Sequence, residues 1–155
     1  MKDNIIDSFC KEINDIGNKK LKHKISIALD FDGTVVEHDY PYIGKENGNC
    51  SEILKRWVSE YNVEIILDTM RGGELLQDAL KWFSDRNVPI FSVGKHPLQE
   101  SWTDSTKAYA LFSIDDRNIG CPVKYDGKKR YMVDWEKVCE IFEPILEKIN
   151  KEINV

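Results

Sequence analysis

The chain has 155 residues, a length that suits one domain with a substantial hydrophobic core. Its 22 Lys and Arg residues against 27 Asp and Glu give a formal net charge of -5, which argues against a broad basic surface for nucleic acid. No apolar run approaches the roughly 20 residues that cross a bilayer, and the amino terminus lacks the apolar stretch of a secretory signal. We therefore expect a cytoplasmic globular domain without a membrane role.

The cysteines and histidines carry no recognisable metal or nucleophile motif. The four cysteines have none of the paired spacings of a zinc site, and reduced thiols in a cytosolic protein are their simplest interpretation. The three histidines, at positions 23, 38 and 96, are scattered along the chain and do not resemble a metal cluster. Any catalytic chemistry must therefore come from other residue types.

The amino-terminal third predicts a helix, a strand and a long loop. An apolar stripe with helical spacing predicts an amphipathic helix over residues 3–16, within an N-terminal extension, residues 1–22, that we expect to pack against the rest of the chain. A compact apolar run predicts a buried strand over residues 25–29. Residues 32–50 are rich in Gly and Asn, which predicts a loop.

Helices and strands alternate along most of the remaining chain. The predicted elements, in order, are a helix from Ser51 to Tyr61, a strand over 63–67, a helix over 75–83, a strand over 88–93, a short helix over 102–109 and a strand over 110–114. Residues 123–125 and 130–133 flank Asp126-Gly127 and predict a hairpin or a short strand with a turn. A last amphipathic helix is predicted over 134–153. This alternation predicts an α/β domain with a mainly parallel sheet.

Polar side chains follow three of the predicted strands. Asp30 comes after the first strand, Thr69 after the second, and Asp115-Asp116 after the fourth. Ligands of open α/β sheets bind beyond the carboxyl ends of the strands. Clustered carboxylates repel one another unless a cation lies among them or some are protonated, and a hard divalent ion such as Mg²⁺ prefers oxygen ligands. These strand ends therefore predict an acidic mouth that holds Mg²⁺.

The segment Asp30-Phe31-Asp32-Gly33-Thr34 resembles the signature of the haloacid dehalogenase-like superfamily, Asp-x-Asp-Gly-Thr after a strand. Thr69, Lys107 and the pair Asp115-Asp116 match the superfamily's later motifs in order and spacing. Residues 38–44 and 114–120 also look like a group of small bacterial and phage members of largely unassigned substrate. The resemblance implies a single domain over 1–155, a Rossmann-like three-layer sandwich whose catalytic motifs span residues 24–120.

The resemblance also implies a role for each motif residue. Asp30 is the nucleophile that accepts the phosphoryl group, and Asp32 is the acid and base that serves the leaving oxygen and then water. Thr69 and Lys107 hold the phosphoryl oxygens. The implied Mg²⁺ ligands are the carboxylates of Asp30 and Asp115 and the backbone carbonyl of Asp32, with Asp116 bound directly or through water.

Several assignments around the motifs stay open. Gly33 permits a tight turn that aims both carboxylates at one phosphate, and Gly33 and Thr34 are candidate substrate-binding residues. Arg71 and Arg117 flank the mouth and could bind substrate phosphate or form surface ion pairs. Lys95 competes with Lys107 for the role of motif lysine. Asp68 should point away from the site and could pair with Arg71.

The short spacings between motifs leave no room for a large cap domain. We expect an open site, or one covered by loop 35–50 or by another subunit. Tyr40, Tyr42 and Trp102 could stack a base or sugar over such a site, or could be packing residues.

The leading functional hypothesis is a Mg²⁺-dependent phosphomonoesterase that forms an aspartyl-phosphate and acts on a small phosphorylated molecule. A nucleotide or nucleic-acid-end phosphatase is an alternative, although the net negative charge disfavours a polymer. A non-catalytic binding or regulatory protein is the alternative outside enzymes, and the intact motif residues argue against it. The sequence specifies neither the substrate nor the oligomeric state.

Overall fold

The computed structural model describes residues 24–128 and 130–153, together with Ser8 and Lys11. The predicted helix over 3–16 and the extension over 1–22 otherwise lie outside the described residues. Among the described residues, no helix combines the length and apolar character that a membrane span requires.

Six strands and three α-helices make up the described fold. The strands are β1 (Ile25–Leu29), β2 (Val63–Leu67), β3 (Ser92–Val93), β4 (Phe112–Ile114), β5 (Val123–Tyr125) and β6 (Tyr131–Val133). The α-helices are α1 (Cys50–Glu60), α2 (Gly73–Asp85) and α3 (Trp135–Ile153), and a short 3-10 helix spans Gln99–Ser101. The strands predicted over 25–29 and 63–67 are confirmed to the residue, and the predicted hairpin is confirmed as antiparallel β5 and β6.

The main sheet has four strands in the order β3-β2-β1-β4, and every pair is parallel. The predicted α/β class is therefore confirmed. Leu29 at the end of β1 is in register with Leu67 of β2 and with Ile114 of β4. Three neighbouring strands thus end at one level, and the residues that follow them emerge side by side.

The core lies between the sheet and the helices. Every residue of β1 and of β2 is buried, as expected for parallel strands covered on both faces. Aromatic side chains join the helices to the core: Trp57 of α1 packs against Trp135 and Phe142 of α3, with ring centroids 5.8 and 5.1 Å apart. Phe31, two residues after the end of β1, packs against Phe83 of α2. The aromatic core therefore extends to the segment that carries Asp30 and Asp32.

The segment between β3 and β4 differs from the prediction. The predicted strand over 88–93 is reduced to Ser92–Val93, and the predicted helix over 102–109 is wrong. Ser and Thr side chains bind the backbone here instead: Thr103 accepts from the amide of Ser105, and Ser105 accepts from the amide of Lys107, at 3.1 and 3.2 Å. Such local hydrogen bonds compete with those of a helix.

Gln99 organises this irregular segment. Its buried Oε1 accepts from the amides of His96 and Tyr109, both at 2.9 Å. Its Nε2 donates to the carbonyls of Ser105 and Lys107 at 3.1 and 3.0 Å. One side chain therefore fixes four backbone groups, including one at the candidate motif lysine.

Replacing Gln99 with leucine should lower the free energy of unfolding by about 3 kcal/mol, because buried backbone groups lose their partners at roughly 1–3 kcal/mol each. Urea unfolding measures the loss. Gln77→Leu is the matched control, since Gln77 is exposed on α2 and should change stability by less than about 0.5 kcal/mol. Equal stabilities of the two variants would show that Gln99 does not hold the segment.

Candidate functional site

Three carboxylates meet at the carboxyl ends of β1 and β4. Each of Asp30, Asp115 and Asp116 offers an oxygen within 4.8 Å of the other two. The backbone amide of Asp30 donates to the carbonyl of Ile114 at 3.0 Å, which ties the two strand ends together. The parallel register thus brings Asp30 together with the adjacent pair Asp115-Asp116, which lies far from it in sequence. The side chain of Asp32, the fourth predicted ligand residue, is not part of this cluster.

The cluster is electrostatically unfavourable on its own. Burial raises the pKa of Asp30 to about 7, and the charges of Asp115 and Asp116 add to that rise, while a hydrogen bond from Thr34 opposes it. Burial also raises the pKa of Asp116, and His38 opposes that rise. A hard divalent cation would relieve the repulsion, and three carboxylate oxygens are ligands that Mg²⁺ accepts. The donor set therefore fits a metal ion.

Thr34 fixes the orientation of Asp30. Its buried hydroxyl donates to Asp30 Oδ2 at 2.8 Å and accepts from the amide of Asp116 at 3.3 Å. Its carbonyl accepts from Asn47 Nδ2 at 2.9 Å and from Trp135 Nε1 at 2.8 Å. Thr34, which the sequence placed among substrate-binding residues, is thus the link between the two acidic strand ends.

Gly33 leaves space for a histidine that the sequence analysis did not assign to the site. Its φ is +81°, and a Cβ at this position would lie 2.1 Å from His38 Nε2 and 2.8 Å from Asp116 Oδ2. His38 Nε2 itself lies 3.0 Å from Asp116 Oδ2. A side chain larger than hydrogen at position 33 would therefore displace the contact between His38 and Asp116. The only sequence signal for His38 is its place in the segment 38–44.

Asp32 is held by Arg71. The guanidinium donates from Nε to Asp32 Oδ2 and from Nη2 to Asp32 Oδ1, both at 2.7 Å, in the bidentate geometry typical of strong arginine–carboxylate pairs. Arg71 is buried, and its hydrogen bonds to Asp32 raise its pKa above the ordinary value. The suggested pairing of Arg71 with Asp68 is wrong, because among the described residues the carboxylate that Arg71 pairs with is that of Asp32.

Arg71 also anchors the loop that follows the acidic turn. It donates to the carbonyls of Pro41 and Tyr42 at 3.1 and 2.8 Å. The base of the loop closes where the amide of Glu37 donates to the carbonyl of Lys45 at 2.8 Å. Residues 37–45 are therefore fixed to the acidic mouth at two points. His38 contacts Asp116, and Arg71 joins the loop carbonyls to Asp32.

Of the remaining candidates, Arg117 contacts the acidic cluster through its backbone, and the others bond elsewhere. Thr69 is half-buried, and its hydroxyl accepts from the amide of Arg71 at 3.2 Å. Lys107 is exposed and Lys95 half-buried, and within residues 24–128 and 130–153 neither ammonium forms an ion pair with the acidic cluster. Arg117 is exposed, and its amide donates to Asp115 Oδ1 at 2.8 Å. The phosphoryl-holding roles of these residues stay predictions.

The fold and the site define a parallel α/β protein with an acidic cluster that could hold a metal ion at its strand ends. No protein-family model matches the chain, and no curated protein matches it. A conserved protein coded by a locus of Bacteroides thetaiotaomicron has a similar solved structure, with a TM-score of 0.65 and 35% sequence identity over 78% of this chain and 91% of that chain. The chain belongs to the same family as that Bacteroides protein.

The raised pKa of Asp30 predicts how stability depends on pH and metal. A carboxyl whose pKa is higher in the folded state favours folding fully below its unfolded pKa and loses that contribution as pH rises through the folded value. For Asp30 the window runs from 3.8 to about 7. The metal-free protein should therefore lose stability across this window, and Mg²⁺ should restore it at about pH 8.

The variant Asp30→Asn isolates this effect, because it removes the charge and keeps the shape. Without metal at about pH 8, the free energy of unfolding of the variant should be about 2 kcal/mol higher than that of the wild type. This figure takes about 1.36 kcal/mol per pKa unit and a discount for partial exposure. At about pH 4 the difference should vanish, since the wild-type carboxyl is then protonated. Denaturant unfolding at both pH values, with and without Mg²⁺, measures it; equal wild-type and variant stabilities at about pH 8 would contradict the prediction.

Proposed function

We propose that this protein is a Mg²⁺-dependent phosphomonoester hydrolase that works through an aspartyl-phosphate on Asp30. The observation that carries the proposal is the cluster of Asp30, Asp115 and Asp116, whose oxygens lie within 4.8 Å of one another beside the separately held Asp32. The resemblance of residues 30–34 to the haloacid dehalogenase-like signature supports the same reaction. A purely structural acidic turn gives no reason to bring three half-buried like charges together.

Mg²⁺ would be held by the carboxylates of Asp30, Asp115 and Asp116, with the backbone carbonyl of Asp32 as a further ligand. When bound, it supplies positive charge that offsets the repulsion between a phosphate dianion and the acidic mouth. His38, through its contact with Asp116, keeps that carboxylate directed at the cluster.

Asp30 acts as the nucleophile. The Thr34 hydroxyl holds Oδ2 and so fixes the rotation of the carboxylate, which leaves the other oxygen to attack phosphorus. The bond from Asp30 to phosphorus forms as the bond from phosphorus to the leaving oxygen breaks. Thr69 and one of the two lysines, Lys107 or Lys95, then hold the phosphoryl oxygens.

Asp32 handles the protons. It gives one to the leaving oxygen in the first step and takes one from water in the second, when water attacks the phosphoryl group on Asp30. In the structure both Asp32 oxygens accept hydrogen bonds from Arg71. Donation to the leaving oxygen requires that one oxygen separates from Arg71.

A phosphatase screen tests the proposal. Purified protein is assayed for phosphate release from sugar phosphates, nucleotides and 3′-phosphorylated oligonucleotides, with Mg²⁺ and after EDTA treatment. We expect release from at least one monoester, lost in EDTA and restored by added Mg²⁺. Release that persists at full rate without metal would contradict the metal's role. Absence of release from every class would favour a non-catalytic binding protein.

A further inference from the structure

We propose that Tyr40 determines the specificity of this site by stacking a flat ring of the leaving group, and that the substrate class is the nucleoside monophosphates. The inference rests on the proposed function, because it uses Asp32 as the acid that meets the leaving oxygen.

The position of Tyr40 follows from a short chain of contacts. Arg71 holds Asp32 with two hydrogen bonds of 2.7 Å. The Arg71 guanidinium carbon in turn lies 5.3 Å from the centre of the Tyr40 ring and 5.2 Å from that of Phe31. The guanidinium of Arg71 therefore contacts both the Tyr40 ring and the carboxylate of Asp32. In the proposed reaction the leaving oxygen meets Asp32, and the Tyr40 ring is linked to Asp32 through the guanidinium that both contact.

Phe31 and Tyr40 contact the same guanidinium but differ in exposure. Phe31 is fully buried in the core, whereas Tyr40 is 61% exposed. A ring that served only to cover Arg71 would gain more by being buried as Phe31 is. The open part of the Tyr40 ring is available to another planar group, and stacking on an aromatic face is how proteins bind nucleobases.

The loop presents this ring in a fixed place. The carbonyls of Pro41 and Tyr42 are bound to Arg71, and His38 is bound to Asp116. Little conformational entropy is then lost when a ligand stacks on Tyr40, so the contact contributes to affinity with small cost.

Two large and mainly apolar side chains are exposed next to residues of the site. Met70 lies between Thr69 and Arg71 and is 99% exposed, and Tyr42 is 73% exposed. Such side chains suit a flat heterocycle better than a small hydroxylated sugar or glycerol. The acidic cluster and the net charge of -5 favour one phosphate carried by a small molecule over the polyanionic backbone of a nucleic acid.

The test compares two substrates and three variants. Phosphate release with Mg²⁺ is measured on adenosine 5′-monophosphate and on glycerol phosphate for the wild type, Tyr40→Ala, Tyr40→Phe and Tyr125→Ala. Tyr125 is the matched control, because it is 55% exposed and its ring packs on Tyr131, its cross-strand partner in β5 and β6, and not on Arg71.

Tyr40→Ala should lower kcat/KM for the nucleotide about tenfold or more, mainly through KM, as loss of one stacked base does. It should leave kcat/KM for glycerol phosphate within about twofold, whereas Tyr40→Phe and Tyr125→Ala should match the wild type on both substrates. A wild type without preference for the nucleotide, or an equal loss on both substrates in Tyr40→Ala, would overturn the proposal.

A binding measurement separates this inference from the proposed function. Adenosine 5′-monophosphate is titrated into Asp30→Asn and into Asp30→Asn/Tyr40→Ala, each with Mg²⁺. Binding that weakens about tenfold on loss of the Tyr40 ring supports stacking even if the wild type hydrolyses nothing, in which case only the proposed hydrolysis fails. Equal binding to both proteins, or binding to neither, refutes the role of Tyr40 even if other phosphate esters are hydrolysed.

Discussion

Asp30→Asn should abolish phosphate release, with a loss of at least ~10⁴-fold in kcat, while the protein stays folded. The amide keeps the shape of the carboxylate and can still contact the Thr34 hydroxyl, but it cannot form the acyl phosphate that the proposed reaction needs. Phosphate release under saturating Mg²⁺ measures the loss, and circular dichroism with a thermal melt checks the fold.

A second readout addresses the covalent step itself. Wild-type protein mixed rapidly with a labelled phosphomonoester should carry a label that hydroxylamine removes, as expected of an acyl phosphate, and Asp30→Asn should carry none. Asp104→Asn, an exchange of the same kind at an exposed loop position, should keep full turnover and the label. Normal turnover in folded Asp30→Asn would rule out Asp30 as the nucleophile.

Arg71→Met should be the most disruptive single change outside the acidic cluster. It leaves the Asp32 carboxylate without its partner and frees the carbonyls of Pro41 and Tyr42, and breaking a buried ion pair costs roughly 3–5 kcal/mol. We expect a loss of about 3 kcal/mol in the free energy of unfolding and a fall of about 10²-fold in kcat/KM, since Asp32 is no longer positioned. Urea unfolding and steady-state kinetics measure the two effects.

Arg56→Met is the matched control, because Arg56 pairs with Glu143 at an exposed position of α1. Its loss should lower the free energy of unfolding by at most about 1 kcal/mol.

A double variant tests the role of Asp32 directly. Asp32→Asn in the Arg71→Met background should recover part of the lost stability, because the unpaired charge is gone. Stability that falls further in the double variant would show that Arg71 acts mainly on the loop carbonyls rather than on Asp32.

The sequence predicted the parts of the fold that depend on apolar runs. β1 and β2 were predicted to the residue because they are buried on both faces and every position is constrained. The predicted element boundaries were wrong where proline or polar side chains, rather than apolar burial, determine the structure. Pro89 cannot donate to a neighbouring strand, so regular pairing begins only when the amide of Phe91 reaches the carbonyl of Ile65 at 2.8 Å.

The acidic cluster was also predictable, because parallel strands end together and the residues after them face one space. The partners of the acidic residues were not. Arg71 pairs with Asp32 rather than with Asp68, and His38 contacts Asp116. Both contacts depend on how a loop folds back over the sheet. Neither spacing nor periodicity encodes that path, and each contact joins residues more than 30 positions apart in the chain.

Two supports of the loop after β1 come from late in the chain, in addition to Asn47. The carbonyl of Gly33 accepts from the amide of Val133 at 2.9 Å, and the carbonyl of Thr34 accepts from the indole of Trp135. During synthesis on the ribosome, Asp30 therefore emerges about a hundred residues before the groups that fix its loop. A nascent chain that stops short of Val133 carries all three acidic residues without these two supports, so the loop after β1 gains its full set of hydrogen bonds only after Trp135 has been made.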